Sequence, residues 1–239
     1  MFVYLLLEAS CGCSISSKKT RKTPRQKELQ LTKLGIITEK GGFRQLCLYA
    51  AIVTTMHLIT PETPLETLRL SLEPLVTSHA AAIYKQLLDE RLYQFIPQSP
   101  PKSLQALESR YHVLSSRQSP DGQEVWLNWA VRLREGNFIG TLEATVYPNC
   151  TAAIAYMIFP MFWQQGYAKE GCRRLLNHLF EDYQVSVVSA EVDTRNIASI
   201  NLVEALRFKR LSTQTNADFF KGAFSHEYLY ELSSLFNSL

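Results

Sequence analysis

The sequence predicts an α/β (α+β) fold built on a central mixed sheet. The first observation behind this prediction is a set of three strand-like segments in the middle of the chain, joined by short turns of the kind that connect antiparallel neighbours. The second is the alternation of helix and strand that follows, because parallel strands need a crossover connection, usually a helix. Parallel pairing is therefore expected in the middle of an otherwise antiparallel sheet.

One strand and two helices are predicted ahead of the central strands. Leu68–Pro74 alternates apolar and polar residues, which is the period of a half-buried strand. His79–Glu90 shows helical spacing of its apolar residues, with Ser78 in the N-cap position. After a proline-rich loop, Ser103 is placed to cap an amphipathic helix that ends near Ser116.

The remaining elements follow in the order of three strands, helix, strand, helix and two strands. They are predicted at Trp126–Leu133, Phe138–Val146, Thr151–Phe159, Gly166–Tyr183, Val185–Val192, Ile197–Leu206, Phe208–Thr213 and Tyr228–Leu232. Val185–Val192 is almost continuously apolar, which is typical of a strand covered on both faces.

The composition changes at Met56. Residues 1–55 hold nine Lys and Arg and three Glu, a net charge of +6, whereas the remaining 16 basic and 19 acidic residues give −3. We expect residues 1–55 to be an N-terminal extension, disordered or produced by a start codon assigned too early, and residues 56–239 to be the folded domain. A basic arm that binds a membrane or nucleic acid is the functional alternative.

Several classes of protein are excluded by the composition. Five scattered cysteines form no disulfide framework, and Cys11-x-Cys13 lacks the second half of a zinc site. The sequence contains no apolar run of the roughly 18 residues that a membrane helix requires. The net negative charge after Met56 does not indicate the basic surface that nucleic-acid binding requires. We therefore expect a cytoplasmic protein with no metal site.

The turn between Pro160 and the predicted long helix is the most informative segment. A helix N-terminus exposes backbone N–H groups that have no partner within the helix, and its dipole favours an anion there. Gly166 leaves room for a phosphate at this point, and Ala168 keeps the following turn small. Taken alone, the pattern is equally compatible with an ordinary connecting turn.

Two motifs make the interpretation specific. Trp163–Glu170 (WQQGYAKE) resembles the pyrophosphate-binding loop of Gcn5-related N-acetyltransferases, the GNAT superfamily, especially its ribosomal-protein alanine acetyltransferase (RimJ and RimL-like) branch. Asp193–Phe208 is similar to the second signature of that family, and Leu68–Leu75 to its first strand. The similarity covers about Thr67 to Leu232. It implies the GNAT fold, in which two central parallel strands splay apart and helices cover both faces of the sheet.

The resemblance also implies acetyl-CoA as co-substrate. Its pantetheine arm would lie between the splayed strands, and its phosphates would bind the loop. The residues implied in cofactor binding are Ile158, Phe159, Gln164, Gln165, Gly166, Tyr167, Ala168, Lys169 and Asn196. Asn196 is equally well placed to cap the helix that begins at Ile197, and the two roles are compatible.

Four positions depart from the family pattern. Gln164 and Arg207 stand where relatives usually have Gly. Ala153 replaces a common Glu, and Val203 replaces a Tyr that protonates the leaving thiolate in many relatives. The last two departures remove a general base and a general acid, so those roles must fall to other residues.

The chemistry requires a proton acceptor for the attacking amine and a donor for the thiolate. Ser199 is the candidate acid, although a hydroxyl in a first helical turn often caps. Glu143 and Glu191 are the candidate bases, although each is also explained as a solvated strand residue. Tyr156 is placed either in the acceptor pocket or in the core. His112 and His226 have no visible Ser or Asp partner, so a hydrolase triad is not indicated.

The resulting hypothesis is acetyl transfer from acetyl-CoA to a primary amine, either a protein N-terminal α-amine or a small molecule. No nucleic-acid or membrane partner is expected, and the chain is expected to be a monomer or a homodimer. The alternative is a catalytically weak acyl-CoA-binding module of the same fold, suggested by Ala153 and Val203.

Overall fold

A computed structural model describes residues 60–234. The predicted extension over residues 1–55 lies outside the described residues, so its boundary and both of its interpretations stay predictions. The predicted elements from Leu68 to Leu232 all lie within the described part of the chain.

The described residues form one sheet of eight strands. The strands are β1 (Leu65–Glu66), β2 (Leu70–Pro74), β3 (Val125–Leu133), β4 (Phe138–Val146), β5 (Thr151–Ile158), β6 (Val187–Asp193), β7 (Lys209–Phe220) and β8 (Ala223–Ser233). Their order across the sheet is β1-β2-β3-β4-β5-β6-β8-β7. Neighbours are antiparallel except β5 and β6, which pair in parallel at the centre. The predicted mixed, mostly antiparallel sheet is confirmed.

Four α-helices cover the described sheet. They are α1 (His79–Ile83), α2 (Leu104–Leu114), α3 (Tyr167–Asn177) and α4 (Ile197–Ala205). A π-helical turn, His178–Asp182, extends α3 nearly to the predicted helix end. Short 3₁₀ turns occur at Gln86–Leu88, Glu90–Tyr93 and Pro160–Phe162.

Side chains alternate between two hydrophobic clusters, one on each face of the sheet. Trp129 of β3 belongs to the cluster under α3 and α4, which also contains Leu175 and Val203. Its neighbour Ala130 belongs to the cluster under α1 and α2, with Leu107 and Tyr111. Helices therefore cover both faces, as the resemblance implied. We call these the α3–α4 face and the α1–α2 face.

The prediction of one helix over His79–Glu90 is wrong. The α-helix ends at Ile83, and the chain continues in 3₁₀ turns interrupted at Asp89, whose φ of −72° and ψ of 111° are extended. Ser78 does not cap, because its own φ of −63° and ψ of −23° are helical and its side chain makes no capping bond. The ring of His79 acts at this turn instead, accepting the Val76 N–H at Nδ1 over 3.1 Å.

Ser103 does cap α2, as predicted. Its side chain accepts the Ala106 N–H over 3.1 Å. The apolar stripe of the helix then places Leu107 and Tyr111 in the core of the α1–α2 face.

The two short closing strands predicted at Phe208–Thr213 and Tyr228–Leu232 are parts of a much longer hairpin, β7–β8. Its turn is Lys221-Gly222, and φ is +52° and +80° at these two residues, as in a type I′ turn. Most β7 side chains are exposed, so the sequence carries no apolar alternation there. For that reason the sequence did not predict the full length of this hairpin.

Candidate active site

The central strands part from each other soon after they begin. β5 and β6 are paired only from Thr151 and Val187 to Ala153 and Ser189. β5 nevertheless continues to Ile158, and β6 to Asp193. The predicted splay is present, and we call the open gap beyond the Ala153–Ser189 pair the split.

Alternate backbone groups of β5 point into the split. The Phe159 N–H donates to Ile139 of β4 over 2.8 Å, so odd-numbered residues of this strand bond toward β4. The main-chain N–H and C=O groups of even-numbered residues then point toward β6. Consistent with this, the Ser189 hydroxyl donates to the Ala152 carbonyl over 3.3 Å. Tyr156 and Ile158 are therefore the residues whose main-chain groups face the split.

The two predicted pantetheine contacts at the end of β5, Ile158 and Phe159, differ in the direction of their main-chain groups. The Phe159 N–H bonds to β4, and its carbonyl accepts from Phe162 over 2.9 Å, so the main chain of Phe159 is fully used. Ile158 faces the split, although its carbonyl accepts the indole N–H of Trp163 over 2.5 Å. The geometry retains Ile158 as a candidate and removes the reason for including Phe159.

The loop at the start of α3 presents a row of free donors. The backbone N–H groups of residues 164–169 have no acceptor among the described residues. Gly166 is the N-cap of α3 in a left-handed conformation, with φ +80°. Gln164 also has a positive φ of +59°. This arrangement makes an anion-binding concavity from the main chain alone.

At two of the positions that depart from the family pattern the backbone is left-handed, which explains why relatives have Gly there. Gln164 at φ +59° and Arg207 at φ +69° occupy positions that favour Gly, which pays no steric penalty there. Arg207 ends α4, where the Phe208 N–H donates to Val203 over 3.0 Å as in a Schellman turn. Non-glycine residues in this region carry strain of roughly 1–2 kcal/mol each.

A side-chain lock holds the loop in place. The Glu170 carboxylate accepts from the Thr67 hydroxyl over 2.6 Å, the Arg69 N–H over 2.9 Å and Arg69 Nε over 2.6 Å. Arg69 Nη1 in turn donates to the Gln165 carbonyl over 3.0 Å, and its guanidinium lies 4.4 Å from the centre of the Tyr167 ring. The loop before α3 is thereby tied to the turn between β1 and β2. Thr67 and Arg69 were missed by sequence reasoning because they lie about 100 residues away.

The lock makes stability depend on pH. Burial opposes ionisation of Glu170, but the hydrogen bonds from Thr67 and Arg69 outweigh it and hold the pKa of that carboxyl below its usual range. A lowered folded-state pKa stabilises the fold above the ordinary value of 4.5, and this contribution is lost as the pH falls through the lower folded value.

We expect Glu170→Gln to lower the free energy of unfolding at pH 7 by about 1–2 kcal/mol, because three donors then face a neutral amide and Arg69 is partly exposed. Urea denaturation should show this difference shrinking as the pH falls below 4.5. Glu135→Gln, in the exposed β3–β4 turn, is the matched control and should change nothing. A Glu170→Gln deficit that is the same at acid and neutral pH would contradict the assignment.

The start of α4 lies at the end of β6 and has two predicted site residues. Asn196 Oδ1 accepts the Ser199 N–H over 3.1 Å, so Asn196 is the N-cap of this helix. Its amide nitrogen makes no bond within the described residues and is free for a ligand. The Ser199 hydroxyl likewise has no partner among the described residues, so it is not used for capping.

Tyr156 lies on the α3–α4 face, beside the split. Its hydroxyl donates to the Ser199 carbonyl over 3.4 Å, which links β5 to the first turn of α4. Burial raises the pKa of this hydroxyl above its usual range, so it stays protonated at neutral pH. Val203, where relatives have a Tyr, is fully buried in the core.

Both candidate bases lie on the opposite, α1–α2 face. Glu143 pairs with Ala155 across β4 and β5. Since Ala153 pairs with Ser189, Ala155 is level with Glu191 on the far side of the split. The two carboxylates therefore flank the split at one level, on the same face. The register of β4, β5 and β6 sets the relative position of the two carboxylates, so no local sequence pattern could predict it.

Glu143 sits beneath α2. Burial and, after it, the negative charge of Glu143 raise the pKa of the Tyr111 hydroxyl. Asn128, which pairs with Glu143 from β3, is buried, and its amide nitrogen lacks a partner among the described residues. Within residues 60–234 the Glu143 carboxylate takes part in no hydrogen bond or ion pair, which leaves it available as a proton acceptor.

Glu227 is a carboxylate that sequence reasoning missed. It lies on β8 and pairs with Asp193 at the end of β6. Burial raises the pKa of Glu227, and the negative charges of Glu191, Asp218 and Asp193 raise it further. A carboxylate with a raised pKa beside a cleft is a recognised mark of a functional site. The signal was absent from the sequence because the neighbouring charges come from two other strands, β6 and β7.

The described residues combine a sheet that splits between its two parallel strands with a row of free N–H groups in the loop that follows the split. This defines a class of α/β proteins that can hold an anionic ligand beside a free strand edge. The family model described as "Acetyltransferase (GNAT) domain" matches residues 69–209. The chain belongs to this family, the GNAT acetyltransferases.

The chain is similar to several named proteins. It is 27% identical over 151 residues to FsC-acetyl coenzyme A-N(2)-transacetylase of Aspergillus fumigatus, which covers 59% of this chain and 63% of that protein. RimL, a ribosomal L7/L12 alpha-N-protein acetyltransferase in complex with coenzyme A, superposes with a TM-score of 0.65 at 17% identity, over 72% of this chain and 98% of RimL. Spermidine N-acetyltransferase from Vibrio cholerae, in complex with CoA and spermine, gives 0.60 at 19% identity, over 69% and 95%. At these identities the two structures show the shared fold.

Within the described part of the chain, no helix is both long and apolar enough to cross a membrane.

Proposed function

We propose that this chain transfers the acetyl group of acetyl-CoA to a primary amine that binds on the α1–α2 face. The observation that carries the proposal is the split itself. On one side it opens toward the N–H cradle of residues 164–169, and on the other it is flanked by Glu143 and Glu191 at one level. A thioester lying in the split would therefore be approached by an amine from the carboxylate side.

The cofactor would be held mainly by the main chain. The phosphates of CoA would bind the N–H cradle of residues 164–169. The Lys169 and Arg173 side chains, which line a groove beside it, would add positive charge. The pantetheine arm would extend β5 along its free edge at Tyr156 and Ile158, as an added strand does. The amide nitrogen of Asn196 is placed to contact the same arm while Oδ1 caps α4.

The reaction requires two proton transfers. The amine nitrogen bonds to the thioester carbonyl carbon, the C–S bond breaks, and CoA leaves as a thiolate that takes up a proton. We assign the amine proton to Glu143 or Glu191, directly or through water, because both face the acceptor side. We assign protonation of the thiolate to Ser199, whose hydroxyl is free among the described residues. Free N–H groups of β5 at the split would stabilise the oxyanion.

The acceptor is proposed only as a primary amine. The similar proteins carry names that include a transacetylase acting at N(2), an alpha-N-protein acetyltransferase and a spermidine acetyltransferase. These names support amine acetylation and give the range of acceptors to test. A cytoplasmic location and a monomeric or homodimeric state stay predictions.

The test is acetyl transfer by the purified chain to a panel of amines. The panel contains a peptide with a free α-amine, a polyamine and an amino sugar, each beside its N-blocked form as control. We expect release of CoA thiol together with an acetylated product, seen by mass spectrometry, for at least one free amine. CoA binding without product from any member would instead support the acyl-CoA-binding module, which the replacements Ala153 and Val203 favour.

A further inference from the structure

The hairpin β7–β8 reaches beyond the sheet. β8 pairs with β6 only as far as Glu227, opposite Asp193. The distal part, residues 215–226, continues past the C-terminal end of β6. Because β5 and β6 are parallel, this is also the edge at which β5 ends and the split is widest. The tip of the hairpin is therefore carried toward the mouth of the site.

One lysine fastens the tip to the other half of the molecule. Lys221 Nζ donates to the carbonyl oxygens of Tyr93, Ile96 and Gln98, at 2.9 Å for Ile96 and 3.2 Å for Gln98. These carbonyls belong to the segment between the 3₁₀ turn Glu90–Tyr93 and α2. We call this contact the Lys221 clasp.

The segment that receives Lys221 is itself firmly held on the α1–α2 face. The Tyr93 ring is buried, and its hydroxyl donates to the Leu87 carbonyl over 2.9 Å. Leu87 and Leu107, which flank the segment, belong to the core cluster on this face together with Ala130 of β3. The clasp therefore joins the β7–β8 turn, on one side of the split, to the helices over β3 and β4 on the other side.

The ammonium makes the clasp with neutral acceptors alone. Within the described residues no carboxylate lies within ion-pair distance of Lys221. Its three N–H groups meet three carbonyl oxygens, which satisfies the donors of an ammonium completely. Burial lowers the pKa of Lys221, while the more distant charge of Glu90 raises it. Lys221 is therefore held by three hydrogen bonds of defined direction and not by an ion pair.

A second contact holds the tip near the end of β6. The Arg195 guanidinium lies 5.8 Å from the centre of the Phe220 ring, next to Lys221 in the turn. Arg195 is in turn fixed by Asp193, through its N–H at 2.8 Å, Nε at 2.9 Å and Nη2 at 2.6 Å. The Thr194 N–H also donates to the His226 carbonyl over 2.9 Å. The tip is thus tied on both sides of the mouth.

We propose that the Lys221 clasp closes a ring around the acceptor entrance and selects slender, unbranched amines over bulky ones. The inference rests on the proposed function, because the ring encloses the α1–α2 side from which the amine would approach Glu143 and Glu191. Lys221 is a positioning residue in this proposal. It touches no reacting atom and acts by fixing the hairpin tip over the split.

The test compares Lys221→Met, which removes all three hydrogen bonds but keeps the apolar stem, with Lys221→Arg, which keeps donors. Lys85→Met, in the exposed turn after α1, is the matched control. In Lys221→Met we expect hydrogen exchange of residues 215–226 to become about tenfold faster. The ratio of kcat/KM for a slender to a bulky amine should fall about fivefold through KM of the amines, with KM for acetyl-CoA unchanged.

Lys221→Arg should restore both exchange protection and the selectivity ratio, which a merely destabilised hairpin would not require. Unchanged exchange and an unchanged ratio in Lys221→Met would overturn the clasp. Faster exchange with an unchanged ratio would show that the tip is tied but does not select the amine, and would overturn the selectivity. If the wild-type chain acetylates no amine at all, the proposed function falls first and the selectivity with it.

Discussion

Gly166→Val should weaken acetyl-CoA binding at least about tenfold while the chain remains folded. Gly166 has φ +80°, a conformation that a β-branched residue avoids at a cost of roughly 1–2 kcal/mol. A Cβ at this position would meet only Arg69 Nη2, at 3.5 Å, so the space is adequate and the backbone angle is the obstacle. The loop must rearrange, and the N–H groups of residues 164–169 then no longer converge. Titration calorimetry with acetyl-CoA measures the effect.

Gly122→Val separates strain from binding. Gly122 has a similar φ of +69°, and a Cβ there meets nothing within 4 Å. It lies in the turn before β3, at the end of the sheet where β5 starts, whereas the phosphate loop follows the end of β5. We expect comparable losses of thermal stability in both glycine variants and a loss of affinity in Gly166→Val alone. Unchanged affinity in a folded Gly166→Val chain would remove the basis for the phosphate-loop assignment.

Glu143→Gln should lower kcat/KM for the amine about 10²-fold, the lower end of the range for a positioned general base. The amide has the shape of the carboxylate but cannot take up the amine proton. Acetyl-CoA affinity should stay within about twofold, because Glu143 lies on the face opposite the proposed cofactor cradle. Steady-state kinetics with varied amine measure kcat/KM, and titration calorimetry measures acetyl-CoA affinity.

Glu191→Gln is the natural comparison, since Glu191 lies at the same level on the other side of the split. A larger loss in Glu191→Gln would transfer the role of base to that residue. Normal turnover in both variants would rule out both carboxylates and direct attention to Glu227, whose pKa is raised. Ser199→Ala should have a smaller effect on turnover than the loss of the base, because the CoA thiolate leaves readily without help.

The sequence predicted the strands best in the middle of the sheet, where they are most buried. β4 was predicted with its observed boundaries, and β3, β5 and β6 to within two residues. Apolar periodicity records burial, so it is reliable in the middle of the sheet. The same rule fails at β7, which is exposed along nearly its whole length. It also fails after Ile83, where Leu87 and Tyr93 are still buried although the backbone has left the α-helix.

The residues of the candidate site likewise divide into those that the sequence placed correctly and those that it did not. Gly166 and Asn196 are both N-cap residues of helices, Asn196 through its side chain, so the sequence placed both on the right structural features. The departures at Gln164 and Arg207 were visible in the sequence, but their left-handed backbone was not. Phe159 was proposed as a cofactor contact only because it lies next to Ile158. Its main-chain groups bond to Ile139 and Phe162, which leaves no reason to include it.

By itself the sequence determined the class of fold, the order of elements and the position of the loop that begins α3, because each of these depends on residues close together in the chain. Only the tertiary structure decided which side chains meet. Glu143 and Glu191 share one level of the split, Glu170 is locked by Arg69, and Lys221 clasps a segment more than 120 residues away. Strand register and sheet order set these contacts, and both are settled by burial of the whole sheet between its helices, which no local pattern encodes.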